Sequence, residues 1–164
     1  MKKSWIIWIG ITGILVIVVT CFAKPTYRSF KTWRAQTIAQ EVEESIGTSN
    51  FKTSVSKILV AQKLSPTDHY VKQVKGKLYN KIHHPKSQDI WVQLVKEEPL
   101  KFENWKGLFY AAMVTRDPKM AFMATVGLQK AAPEKDLLLK QLEFEFLLSA
   151  NQVEKATVHA KKLL

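Results

Sequence analysis

The 164-residue chain holds a single cysteine, Cys21, so no disulfide can form within it and cysteine usage leaves its redox compartment open. Glycine is scarce too. The six glycines fall in no phosphate-cradling loop, dinucleotide fingerprint or nucleophile elbow, which removes the nucleotide-binding and hydrolase readings that depend on those motifs. None of the four histidines joins a cysteine, histidine or carboxylate at metal-ligand spacing. His83 and His84 read as turn histidines beside Pro85, and Glu97-Glu98 and the Glu143/Glu145 pair read as solvated helix charges rather than an acid/base couple. No catalytic, cofactor-binding or metal-ligating residue is assigned, and the expectation is a protein that is not an enzyme. Acid is the last shortage: 14 Asp and Glu stand against 25 Lys and Arg, a net charge of +11.

What the chain does have is unevenly placed. From Trp5 to Ala23 the sequence runs without a single charge. As a helix that run covers roughly 28 Å, against about 30 Å of bilayer hydrocarbon, and a helix satisfies its own backbone in lipid. Trp5 and Trp8 mark one end, while Tyr27, Phe30 and Trp33 lie beyond the other, as in an aromatic belt. Residues 1–23 are therefore expected to form a transmembrane anchor. A cleaved signal peptide and a lipidated Cys21 stay open beside it. The membrane side also stays open, because Lys2 and Lys3 are balanced by Lys24, Arg28, Lys31 and Arg34. Residues 24–34 read as a short basic stem. Its four cations are candidate lipid-headgroup contacts, each worth about 1 kcal/mol near an anionic surface.

From residue 35 to 164 helical periodicity alternates with short breaks. Pro66, Pro99 and Pro133 are evenly spaced, and each closes an apolar stretch. Pro85, Pro118 and Asn151 fall between them and recur at the same interval. Ile38, Val42 and Ile46 form the first stripe, followed by Phe51, Val55, Ile58 and Leu59 after the caps Ser49 and Asn50. Ser65 is expected to cap the next helix, with Pro66 at its first position and Asp68 completing the box. Val71, Val74, Leu78 and Ile82 form that helix's buried face, and Ser87 caps a helix bearing Trp91, Leu94 and Val95. Trp105, Leu108, Phe109 and Ala112 then face one way, and Asp117-Pro118 opens a helix with Met120, Ala121, Ala124 and Leu128. A fourth pair carries Leu138, Leu139, Leu142 and Phe146, then Val153, Ala156, Ala160 and Leu163. One hairpin cannot cover its own apolar face, so neighbours must stack.

The pattern resembles the tetratricopeptide repeat, a helix–turn–helix unit of about 34 residues. Trp105 and Leu108 stand where that family has its first-helix aromatic and leucine, Ala121 where it has the small residue at the helix crossing, and Pro133 where it has the terminal proline. The preceding unit keeps Leu78, Trp91 and Pro99, and the first keeps Ala61 and Pro66. Phe109 and Thr125 depart from the pattern, replacing a small residue and an aromatic. The resemblance implies an α-solenoid of about four antiparallel helical hairpins, and with the anchor expected from the apolar run the chain reads as all-α, the solenoid preceded by one transmembrane helix. Its first helices would line a concave, partner-binding surface. No cofactor and no small-molecule substrate are implied.

Charge narrows the partner. Between Ser45 and Gln88 eight lysines face a single acid, Asp68. Lys72 and Lys75 lie about 60° apart around a helix, with Lys77 farther round. They are the candidate contacts for an acidic segment of a protein partner or for anionic lipid; an ordinary solvated face is the competing reading. Lysine outnumbers arginine and no aromatic platform accompanies it, which argues against nucleic acid. The expectation is a membrane-anchored, non-catalytic scaffold that binds a protein partner. The alternative is an accessory subunit of a membrane-bound synthesis, secretion or assembly machine.

Overall fold

A computed structural model describes residues 26–47 and 50–149. The protein is all-α: the described residues form seven helices and no strand. Helix α1 runs over 26–45. It is followed by α2 (Phe51–Leu64), α3 (His69–Lys81), α4 (Ser87–Glu97), α5 (Phe102–Thr115), α6 (Pro118–Ala131) and α7 (Asp136–Ser149). The apolar run of residues 5–23 and the last expected helix, with Val153 and Leu163, lie outside the described residues. No helix among the described residues is long and apolar enough to cross a membrane.

The helix ends follow local chemistry. Asn50 caps α2 by accepting from the Thr53 N–H, and Asp117 caps α6 through the Met120 N–H, with Pro118 at the first helical position. Both match the sequence reading. The start of α3 does not. Asp68, not Ser65, is its cap, its carboxylate accepting from the Val71 N–H at 2.9 Å. Ser65 instead ends α2, its N–H bonded to the Ala61 carbonyl, and Pro66 lies in the exposed turn. Ser87 is no cap either. It is the first residue of α4 and fully buried, Lys86 takes the cap position, and the Ser87 hydroxyl makes no hydrogen bond. Residues 26–34, read as a stem, continue into α1 without a break.

From α2 to α7 consecutive helices pack on each other, α3 also packs on α5, and α1 shares a core with α2 and α3. The second helices keep one register. Ser54, Ser87 and Ala121 recur at the interval of the prolines and are all buried, as are Ala61, Leu94 and Leu128. Small residues at the first set of positions let helices approach; leucine and alanine at the second fill the space behind. One core joins Ala35, Ala39 and Val42 of α1 to Ile58, Val71, Val74 and Leu78. A second joins Trp91 and Leu94 to Leu108, Phe109, Leu128, Leu139 and Leu142. Ile90 packs against both and bridges them. Leu59, expected inside, is 39% exposed, because it stands about 100° round the helix from the inward-facing Ile58.

Candidate functional site

A groove of about 590 Å³ lies along α3 and α5, with Ile46 at the end of α1 and Trp91 of α4 also on its wall. Its shape starts from two glycines. A Cβ on Gly76 of α3 would stand 2.6 Å from the Trp91 ring, and one on Gly107 of α5 would stand 2.5 Å from it. No other residue type leaves the indole that room, so α3 and α5 close on it from both sides. Trp91 is 1% exposed as a result. One turn beyond Gly76, Asn80 donates its Nδ2 to the Gly107 carbonyl at 3.0 Å and ties the two helices together above the ring.

Polar atoms at this junction are left without partners. The Trp91 Nε1–H and the Asn80 Oδ1 are buried and make no hydrogen bond, and neither does Ser87 Oγ, one helical turn before Trp91. A buried, unsatisfied donor or acceptor costs about 1–3 kcal/mol, so the two on the groove wall, Trp91 Nε1 and Asn80 Oδ1, mark a place that a further polar group would stabilise.

The groove's charges divide into used and unused. Lys77 bonds Glu43 of α1 at 2.6 Å, and the same carboxylate accepts from the Tyr70 hydroxyl at 2.7 Å. Burial pushes the Glu43 carboxyl up, but the Lys77 and Tyr70 hydrogen bonds outweigh it and hold the group below the usual glutamate value. Burial and the Glu43 charge together push Tyr70 up to about 12. Lys81 and Lys106 also line the groove, and neither makes an ion pair or hydrogen bond among the described residues. Tyr110, 37% exposed, also lines the groove, its hydroxyl pushed up by burial and then by Glu145.

Two residues expected to meet a partner lie elsewhere. Lys72 donates to both oxygens of Glu97 at 2.7 and 2.9 Å, and its side chain is only 11% exposed. Lys75 donates to Gln62 at 2.8 Å and covers the Tyr79 ring, where burial, then the neighbouring Lys86, pushes its ammonium down. Their stripe of α3 faces α4 and α2, so both lysines fasten helices, and the groove takes its free cations from Lys81 and Lys106. His69 sits by the Lys72 pair, 3.5 Å from Glu97 and 3.3 Å from Glu98. Arg28, Lys31 and Arg34 lie on the first turns of α1, where Lys31 stands over the Tyr27 ring at 4.6 Å; Lys24 lies outside the described residues.

The repeat-like residues form the frame. Leu108 and Ala121 are buried, and Pro66, Pro99 and Pro133 stand on exposed turns. Trp105 is half-buried, donates Nε1 to the Pro99 carbonyl at 2.7 Å and packs its ring against Gly127. Among the described residues no three His, Cys, Asp or Glu side chains gather as metal ligands would. Asn80, Lys106 and Tyr110 escape the sequence reading, and Lys81 enters it only as one of the eight lysines of the basic stretch. The signal that points to them is a glycine inside each of two helical stretches, which marks a close approach. Compared with known proteins, the chain matches no family model, no curated protein and no solved structure.

Proposed function

We propose that this protein is a non-catalytic scaffold, anchored in a membrane by residues 5–23, that holds a protein partner along a groove of stacked, tetratricopeptide-like hairpins. The observation that carries the reading is the groove itself. It falls on the first helices of successive pairs, α3 and α5, and keeps two cations and an exposed tyrosine uncommitted to the fold. Burial that repeats at the interval of the prolines supports an α-solenoid, in which such a groove is the working surface.

The first turns of α1 support the anchor. Residues 26–30 are exposed on every side of the helix, and Tyr27, Phe30 and Trp33 are 60, 52 and 60% exposed. Isolated in water, three large aromatics on one helix end have no reason to be there. Placed at the headgroup level, their rings bury while Arg28, Lys31 and Arg34 meet phosphate. The uncharged run that ends at Ala23 brings them to that level.

The test is recovery of neighbours from membranes extracted in mild detergent. A partner that co-purifies with the full chain and is lost with Lys106→Glu and Tyr110→Ala supports the groove. A partner retained equally by both variants removes it. Stoichiometric recovery with one enzyme identifies the accessory-subunit form of the same role.

A further inference from the structure

We infer that the groove reads the main chain of an extended, acidic segment, by way of one peptide group held between Trp91 and Asn80. This rests on the groove being the partner site. Trp91 Nε1–H is a donor and nothing else, and Asn80 Oδ1 is an acceptor; both are buried and unpartnered beside the same groove. A peptide group supplies the complement of both, its carbonyl accepting from the indole and its N–H donating to the asparagine oxygen.

That pairing selects conformation as well as chemistry. Inside a helix the main-chain donors and acceptors are already joined to each other, so a helical partner offers neither. An extended strand offers both. Asn80 as a whole is half-buried and its Nδ2 is engaged with Gly107, so the buried Oδ1 is the end of the amide left for the strand. Lys81 and Lys106 then stand free along the groove to take carboxylates. Glu103, the one acid on the groove wall, forms no ion pair with either lysine among the described residues. The groove volume of about 590 Å³ falls inside the range of about 300–1,000 Å³ typical of ligand clefts.

The experiment uses the full chain in lipid nanodiscs and a display library of random dodecapeptides, counter-selected on empty nanodiscs. Enriched peptides are expected to be acidic and to stay free of helix on binding by circular dichroism. They should weaken about tenfold or more when one central amide is N-methylated, and to a similar degree with Trp91→Phe, which keeps a ring and loses the N–H. The Trp91 indole resonance in an ¹⁵N spectrum should move on peptide addition. Where Trp91→Phe lowers the melting temperature too far for use, the methylated peptides decide. Peptides that tolerate methylation at every position and leave that resonance unmoved, yet are lost with Lys81→Glu and Lys106→Glu, overturn the main-chain reading and leave the groove as the partner site. Peptides indifferent to every groove substitution, or no enrichment over empty nanodiscs, overturn the groove as well.

Discussion

Trp91 carries more of this molecule than any other side chain. Its ring is gripped by glycines from two helices, so shortening it leaves a void between two positions that carry no side chain. Trp91→Ala should cost about 3–5 kcal/mol in urea unfolding. Trp105, half-buried and fastened by one hydrogen bond to the Pro99 carbonyl, should lose clearly less when cut to alanine. Equal losses at the two sites would show that Trp105 is seated as firmly as Trp91. The opposite change is informative too. Gly107→Ala pushes a methyl group into the indole and should destabilise by roughly 1–3 kcal/mol, with a shift in tryptophan fluorescence.

At the scale of an element, α3 is tied to its neighbours at its start and along its outer faces. Its start is fixed by Asp68, which caps it and also accepts from Gln36 of α1 at 2.8 Å. Its outer faces are tied to α4 by Lys72–Glu97 and to α1 by Lys77 and Tyr70 through Glu43. Asp68→Ala should therefore cost about 1 kcal/mol for the cap alone, with early hydrogen exchange at the start of α3 as the local sign. Ser65→Ala should leave that start unchanged, since Ser65 caps nothing there. The periodic apolar residues announce α3 from the sequence. The carboxylate that begins it is legible as well, but Ser65-Pro66 imitates a better-known start signal just ahead of the true one.

Across the whole molecule, ion pairs tie helices to one another, within a hairpin at Lys72–Glu97 and between hairpins at Lys77–Glu43, and set a pH window. The Lys72 hydrogen bond foremost holds Glu97 below its ordinary value of 4.5, and the Lys101 bond does the same for Glu98. Glu43 is also held down. Groups depressed in the folded state contribute stability above the unfolded value and lose it as pH falls through the folded one. Tyr70, raised from 10.0 to about 12, contributes below pH 10 and loses its share as pH climbs toward 12. Melting temperature should thus be level through neutral pH, fall below about pH 4.5 and fall again above about pH 10. Glu43→Gln should flatten part of both edges, because it removes an acid and the partner that raises Tyr70. An unaltered pH profile in that variant would place the linkage elsewhere.

The all-helical class, most of the buried stripes and the repeating interval are all written in the chain, because apolar spacing and turn chemistry act over a few residues and need no partner to be read. Ile38 through Phe146 take their faces that way, with Leu59 the exception that one helical step explains. Which lysines are free is settled by packing alone. Lys72 and Lys75 look available on an isolated helix, yet Glu97 and Gln62 arrive from other helices to occupy them. Packing also settles where the groove lies, since Gly76, Trp91 and Gly107 meet only after three helices have come together. Charge pairing and close approach depend on residues far apart in the chain, and no local pattern encodes who will arrive.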